Sequence, residues 1–192
     1  DTTLGVWLDS MGIKVLFDVV LNHTGDVISY EEATSTYRNK TDFPYLDAAG
    51  DPFDDRAFEG TGTFPALDAS TSFPYTPTFA TPADATAKSP DWLNDPRNYH
   101  NRGDSTFAGE NSQYGDFFGL DDLFSEHPVV VDGMIDIHTS MIDTFGIDGF
   151  RVDTVKHVSD GFWEAWVPAI MDHAAAAGKP DFVMFGEVFG ET

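Results

Sequence analysis

Residues 1–23 carry a helical pattern of apolar positions followed by an extended one. Apolar side chains recur at helical spacing, and Gly12 follows them as a C-terminal stop: Leu4, Trp7, Leu8 and Met11. A nearly continuous apolar and β-branched run then covers residues 13–21, and polar residues 22–25 end it. Such a run predicts a strand that is buried on both faces, as in a parallel sheet.

Residues 126–192 return to this alternation of helix and strand. One helix is predicted to end at Gly146, and its apolar positions are Met134, Ile135, Ile137, His138, Met141, Ile142 and Phe145. A second is predicted to end at Gly178, with apolar positions Phe162, Trp163, Trp166, Val167, Ile170 and Met171. Strands are predicted over residues 149–153 and 181–188. The order predicts an α/β fold of βα units around a parallel sheet.

Residues 24–125 show no lasting helical period and differ from both flanks. Eight of the eleven prolines fall between Pro44 and Pro96, among many small polar residues and scattered aromatics. Because a compact domain rarely holds a structureless loop of this length, the segment is either a small insertion domain or a set of functional loops. The sequence therefore predicts an insertion over residues 24–125, and residues 1–23 and 126–192 on either side of it form the α/β fold.

Charge narrows the possible partners. The net charge is −23, from 33 acidic and 10 basic residues, which makes nucleic acids and anionic membranes poor partners and favours a neutral substrate or a cation. The chain has no cysteine, which excludes disulfides and thiol chemistry. No apolar run reaches the roughly 18 residues that a membrane span requires.

Candidate chemistry lies at the carboxyl ends of the predicted strands, where sites of parallel α/β folds form. Asp18 belongs to the first strand, Arg151 and Asp153 to the second, and Glu187 to the third. Arg151 and Asp153 are two residues apart, so their side chains point to the same side. The guanidinium favours ionised Asp153, as a nucleophile requires, and repulsion from that charge favours protonated Glu187, as a proton donor requires. Such a pair is the working pair of glycoside hydrolysis.

Structural roles for the same residues stay open at this point. A single acidic residue at a strand end is more often a helix cap or a surface group than a catalytic one. Arg151 and Asp153 are also compatible with a structural ion pair, and this interpretation is favoured for Asp18, which lies within the apolar run.

Four motifs resemble the signatures of the α-amylase family of glycoside hydrolases, in the same order and with the same spacing. They are residues 18–23 (DVVLNH), 119–123 (GLDDL), 149–157 (GFRVDTVKH) and 186–188 (GEV). The third of these is highly specific, whereas the last would be weak alone. The resemblance covers the whole chain.

This resemblance implies part of a (β/α)8 TIM barrel, an α/β fold, with the long irregular insertion called domain B after the third barrel strand. It implies that Asp153 is the nucleophile of a retaining mechanism and that Glu187 is the general acid and base. Arg151 would hold Asp153 ionised, and His23 would bind the sugar in the cleaved subsite. Lys156 and His157 would line the neighbouring subsite on the leaving-group side.

The resemblance also implies a Ca²⁺ site between barrel and insertion. Its ligands would be Asn22, Asp122 and the carbonyl of His157, which are oxygen donors that suit calcium. The alternative for Asn22 is that it only caps a turn.

The family pattern is incomplete in this sequence, because the fourth signature with the third catalytic Asp is absent. Three barrel strands cannot close, so the chain is expected to be a fragment of a longer protein and to be inactive alone. The leading hypothesis is hydrolysis of α-1,4-glucosidic bonds in starch-like α-glucans. An α-glucosidase or transglycosylase of the same family is the alternative, and an inactive sugar-binding relative is the alternative of another class. The sequence predicts neither oligomeric state nor localisation, although secretion is compatible with it.

Overall fold

The protein is described by a computed structural model at residue 8 and over residues 11–188. Most of the predicted N-terminal helix lies outside these residues. The strands of the described part are β1 (Leu16–Val20), β2 (Ile28–Tyr30), β3 (Tyr45–Leu46), β4 (Pro52–Phe53), β5 (Pro77–Phe79), β6 (Gly149–Asp153) and β7 (Val183–Gly186). The α-helices are α1 (Asn111–Tyr114), α2 (Pro128–Phe145) and α3 (Asp160–Ala176).

The centre of the fold is a parallel sheet with the strand order β1-β6-β7. Asp18 of β1 lies opposite Arg151 of β6, and Arg151 lies opposite Phe185 of β7. Helix α2 connects the insertion to β6, and α3 connects β6 to β7, so the order is that of βα units. The predicted parallel α/β sheet is therefore confirmed, as an open sheet and not as a closed barrel.

The two faces of this sheet have different environments. One face packs against α2 and α3, and there Val19, Phe150 and Val152 are at most 5% exposed. The opposite face carries apolar side chains that are exposed in the described part of the chain: Leu16, Val20, Val183 and Phe185. The prediction that the first strand is buried on both faces is wrong for the described residues, because the two helices cover one face only.

The two long helices begin and end at local signals in the sequence. Helix α2 starts where His127 Nδ1 accepts a hydrogen bond from the Val129 N–H, and it ends at Gly146, whose φ of 62° is left-handed. Helix α3 starts at Ser159, whose hydroxyl oxygen accepts a hydrogen bond from the Phe162 N–H. Both predicted helices are confirmed, and they start six (α2) and two (α3) residues before the first apolar position of each pattern.

The residues between β1 and α2 fold into two small antiparallel sheets, β2 with β5 and β3 with β4, joined by short 3-10 turns. Aromatic rings form their core, where Tyr45 packs on Phe53, Phe73 and Phe124 with ring centroids 4.8–6.1 Å apart. This packing explains why the segment is ordered without a helical or strand period. None of the helices in the described part is both long and apolar enough to cross a membrane.

Side chains of the insertion pack closely against two glycines in the long helices. A Cβ on Gly133 of α2 would lie 2.4 Å from the ring of Trp92, and a Cβ on Gly161 of α3 would lie 2.6 Å from Glu59 Oε2. Glu59 Oε2 also accepts a hydrogen bond of 3.1 Å from the Gly161 N–H, at the positive end of the helix dipole. The insertion is therefore held against both helices at close range.

We expect Gly133→Ala to destabilise the protein, although Ala normally stabilises a helix interior by roughly 0.5–1 kcal/mol relative to Gly. The rigid Trp92 ring cannot move by rotamer change alone, and overpacking of this kind costs about 1–3 kcal/mol. Thermal unfolding of the single variant measures the loss, and Gly133→Ala combined with Trp92→Leu should recover most of it. A higher melting temperature for Gly133→Ala alone would contradict this packing.

Candidate active site

Arg151 lies at the centre of three carboxylates on the exposed face of the sheet. Its Nη1 donates hydrogen bonds of 2.7 and 2.9 Å to the two oxygens of Asp18, and its Nη2 lies 2.6 Å from Glu187 Oε2. Nη1 is also 3.9 Å from Asp153 Oδ1. The hydrogen bond to Asp18, with the charges of Glu187 and Asp153, raises the pKa of Arg151 above its ordinary value. The structure thus brings together the acids of three neighbouring strands around one permanent positive charge.

Asp153 ends β6, and the chain turns sharply after it. Thr154 has the left-handed angles φ 56° and ψ 31°, and its N–H donates a 2.8 Å hydrogen bond to Asp153 Oδ1. A 3-10 turn, Val155–His157, follows and carries Lys156 and His157 back towards the cleft. The sequence analysis did not identify Thr154, because its role depends on backbone conformation.

His23 lies beside the carboxylates and is held by two neighbours. Its ring stacks on Phe117 with centroids 5.2 Å apart and an interplanar angle of 10°. Its Nδ1 is 2.8 Å from Asn22 Oδ1. Burial lowers the pKa of His23 despite the opposing charge of Asp153, so the imidazole is neutral at pH 7 and its nitrogens are available as donor and acceptor.

A cleft of about 470 Å³ lies at Asp153 and Glu187. Its lining consists of Phe107, Ser112, Phe117, Phe118, Asp153, Thr154, Lys156, His157 and Glu187. The predicted catalytic residues and the predicted subsite pair therefore share one cavity. The insertion supplies the facing wall, which is aromatic.

Three phenylalanines form this aromatic wall, and none of them was predicted from the sequence as a site residue. Phe107 packs on Phe118 at 4.8 Å and on Phe117 at 5.0 Å between ring centroids. The Phe117 ring also contacts His157, with centroids 5.1 Å apart. Their only signal in the sequence is that Phe117 and Phe118 directly precede the motif over residues 119–123.

Asn22 and Asp122, the predicted metal ligands, lie on two segments that pair with each other. His23 forms a bridge with Asp122, and the Leu123 N–H donates a 2.7 Å hydrogen bond to the Asn22 carbonyl. Both side chains are 1% exposed. Asn22 Oδ1 accepts a 2.5 Å hydrogen bond from Thr154 Oγ1, while its Nδ2 is buried and has no hydrogen-bond partner among the residues that the structure describes.

Asp122 belongs to a buried chain of charges. His100 Nδ1 is 2.5 Å from Asp122 Oδ2, and His100 Nε2 is 2.9 Å from Glu126 Oε2. Burial acts against the charged form of His100, but the two carboxylates overcome it and raise the pKa of His100 to about 9. Burial also raises the pKa of Asp122 to about 8, although the hydrogen bond from His100 opposes this shift. The ionised form of Asp122 thus depends on positive charge nearby.

In the part of the chain that the structure describes, no group of three or more Asp, Glu, His or Cys side chains is placed to hold a metal ion. Such side chains alone therefore do not form a metal site there. A site at Asn22 and Asp122 would therefore need amide and carbonyl oxygens as well.

Comparison with known proteins identifies the family. Residues 4–191 match the family described as "Alpha amylase, catalytic domain". The chain belongs to the α-amylase family. It is 55% identical over 179 residues to an α-amylase of Streptomyces lividans, which covers 93% of this chain and 19% of that protein. It is 32% identical over 94 residues to a cyclomaltodextrin glucanotransferase of Klebsiella oxytoca, covering 48% of this chain and 14% of that protein.

Solved structures of α-amylases share the fold. An α-amylase of Anoxybacillus superposes with a TM-score of 0.58 at 24% identity, covering 98% of this chain and 28% of that one. An α-amylase of Geobacillus thermoleovorans, complexed with acarbose, gives a TM-score of 0.55 at 21% identity, again over 98% and 28%. The chain spans about a fifth of the Streptomyces relative and just over a quarter of these structures. The fold is therefore a partial TIM-barrel-like α/β fold of the α-amylase family.

Proposed function

We propose that this chain is the central part of a retaining α-amylase-type glycosidase that cleaves α-1,4-glucosidic bonds in starch-like α-glucans. The observation that carries the proposal is the position of Asp153 and Glu187. They lie at the ends of neighbouring parallel strands, on either side of Arg151, and both line the same aromatic-walled cleft. Paired carboxylates of this kind perform glycoside hydrolysis by nucleophilic attack and proton transfer.

In the first step, a carboxylate oxygen of Asp153 attacks the anomeric carbon and forms a glycosyl ester. The bond from that carbon to the leaving oxygen breaks, and the leaving oxygen takes the proton of Glu187. In the second step, the Glu187 carboxylate removes a proton from water while the water oxygen attacks the same carbon. The ester bond breaks, the electron pair returns to Asp153, and the configuration is retained after two inversions.

Arg151 contacts both acids of the proposed pair. Its Nη2 lies 2.6 Å from Glu187 Oε2, and its Nη1 lies 3.9 Å from Asp153 Oδ1. Proton donation requires the Glu187 carboxyl to face the leaving oxygen, so under this proposal Glu187 separates from Arg151 when the sugar enters. Asp18 accepts hydrogen bonds from Nη1 through both of its oxygens.

A neutral glucan fits the cleft better than a charged ligand. The rings of Phe107, Phe117 and Phe118 offer apolar surface against which the faces of sugar rings pack. The net charge of −23 disfavours anionic substrates. The names of the Streptomyces and Klebsiella relatives, an α-amylase and a cyclomaltodextrin glucanotransferase, support the same substrate class.

The chain works within a larger catalytic domain under this proposal. The sheet face that carries Arg151 also exposes Leu16, Val20 and Phe185, which further barrel strands would cover. Activity is therefore to be measured on the complete enzyme that contains this chain.

We expect the complete enzyme to convert maltoheptaose only into shorter oligosaccharides. Lys156 and His157 line the cleft beside the two acids, and chromatography of the products over time tests this expectation. Products longer than maltoheptaose would instead indicate a transglycosylase, the alternative that the glucanotransferase relatives support. Glucose as the first product would indicate an α-glucosidase, and absence of turnover would indicate a sugar-binding relative.

We propose that calcium binds at Asn22 and Asp122, with the His157 carbonyl, which the family resemblance implies, as a third ligand. Within the described part of the chain, the buried Asn22 Nδ2 has no hydrogen-bond partner, and exchanging the amide nitrogen and oxygen would retain the bonds to Thr154 Oγ1 and His23 Nδ1. The carbonyl oxygen would then occupy the unpartnered position, where a cation would meet it. Bound calcium would tie the insertion to the strand ends and would support ionised Asp122.

We expect Ca²⁺ to raise the melting temperature and EDTA to lower it, because an ion that binds only the folded state stabilises it by about 2.7 kcal/mol at 100 times its Kd. Asp122→Asn should abolish the response to calcium. Asp121→Asn is the matched control, because Asp121 binds Lys88 and the backbone N–H groups of Val27 and Ile28 and should leave the response intact. An identical melting temperature in EDTA and in saturating calcium would rule the site out.

A further inference from the structure

Thr154 adopts a backbone conformation that a β-branched residue rarely accepts. Its φ of 56° and ψ of 31° are left-handed, and it directly follows Asp153. For a β-branched side chain this is a genuine outlier, which persists only where the surrounding structure enforces it. Such outliers cluster at functional sites, so the contacts that enforce this one indicate what it is for.

Two hydrogen bonds enforce the conformation of Thr154. Its side-chain Oγ1 is hydrogen-bonded at 2.5 Å to the side-chain amide of Asn22, across 132 residues of sequence, and the residue is 9% exposed. Its backbone N–H donates to Asp153 Oδ1 at 2.8 Å. The hydroxyl therefore anchors the turn to the end of β1, and the anchored turn directs its N–H at the Asp153 carboxylate.

The same turn also positions the two residues on the other side of the cleft, Lys156 and His157. The carbonyl of Thr154 accepts a 2.9 Å hydrogen bond from the His157 N–H, which closes the 3-10 turn that carries Lys156 and His157. With ordinary extended angles at Thr154, the chain would continue along β6 and would carry these two residues away from Asp153.

We propose that Thr154 is a positioning residue for Asp153. Its hydroxyl bond to Asn22 locks the strained turn, and the locked turn holds the Asp153 carboxylate in the orientation for attack. This inference rests on the proposed glycosidase function. A purely structural role would change stability and leave turnover by the folded enzyme unchanged.

The test compares Thr154→Val, which keeps the shape without the hydroxyl, with Thr154→Ser, which keeps the hydroxyl. Both are measured in the complete enzyme with saturating Ca²⁺, and thermal unfolding confirms that each is folded. For Thr154→Val we expect kcat to fall at least about tenfold with KM changed less than about threefold, because misplacing a reacting group by about 1 Å can cost 10²-fold. For Thr154→Ser we expect kcat within about threefold of wild type. Should the Val variant fail to fold, Thr154→Ala replaces it with the same expectation.

Thr154→Gly tests the strain separately. Glycine accepts left-handed angles, so this variant should melt higher than Thr154→Ala while turning over as slowly. A kcat of Thr154→Val or Thr154→Ala within twofold of wild type would overturn the positioning role. Equally slow Ser and Val variants would overturn it as well. A wild-type enzyme without activity on any α-glucan would overturn the proposed function itself, which makes the two failures distinguishable.

Discussion

We expect replacement of Asp153 with Asn to lower kcat of the complete enzyme at least about 1,000-fold, equivalent to about 4 kcal/mol of transition-state stabilisation. The amide cannot form the glycosyl ester, while the hydrogen bond from the Thr154 N–H can still be accepted by the amide oxygen. Because ground-state contacts with the sugar are retained, KM should change far less than kcat. Steady-state hydrolysis of a maltooligosaccharide measures both constants.

Glu187→Gln separates the two carboxylate roles. The variant should be as slow as Asp153→Asn on maltooligosaccharides, where the leaving oxygen needs a proton. Formation of the glycosyl ester, measured as a burst of released leaving group, should recover on a glycosyl substrate such as a fluoride, because departure of that group needs little protonation, whereas the second step still lacks its base. Asp153→Asn should not recover on the same substrate, since the nucleophile itself is missing.

Asp172→Asn is the matched control for both, because Asp172 is an exposed carboxylate on α3. Its kcat should equal that of wild type. Turnover by Asp153→Asn within tenfold of wild type would exclude Asp153 as the nucleophile. Recovery of Asp153→Asn, and not of Glu187→Gln, on the fluoride would require the two roles to be exchanged.

The second large effect that we expect is that acid destabilises the packing of α2 and α3 by protonating His138. The His138 ring lies between Phe150 and Trp166, with centroids 5.3 Å from each, and its Nδ1 donates a 2.6 Å hydrogen bond to the Met134 carbonyl. Burial among these groups lowers the pKa of His138 from 6.5 to about 4, so the folded state holds the neutral form. Stability is then fully present above pH 6.5 and is lost as pH falls towards 4. The loss over this window is about 3 kcal/mol, because each unit of pKa difference corresponds to about 1.4 kcal/mol.

Hydrogen exchange of α2 peptides measures this loss locally, as protection factors between pH 4 and 6.5. We expect His138→Leu to remove most of the pH dependence, and His173→Gln, a change at a partly exposed histidine on α3, to retain it. His127 contributes in the same direction, since burial lowers its pKa to about 4 and protonation removes the Nδ1 acceptor at the start of α2. Equal pH dependence in wild type and His138→Leu would exclude His138 as a source.

The helices and β6 were predictable because their signals are local. Gly146 directly follows the end of α2, and Gly178 lies just past the end of α3, both with left-handed backbone angles. The burial of β1 was not predictable in the same way. An apolar run indicates which residues can be buried, whereas the helices that pack against the sheet decide which face is covered.

The sequence by itself determined the parallel α/β fold, the family through its four motifs, and the candidates Asp153 and Glu187 at strand ends. These follow from periodicity and from residues that are close along the chain. Only the tertiary structure decided what surrounds them, namely the three carboxylates around Arg151, the aromatic wall of the insertion, and the strained turn at Thr154. The physical reason is that these features depend on contacts across as many as 133 residues, such as that between Asp18 and Arg151, and on backbone angles that no apolar pattern encodes.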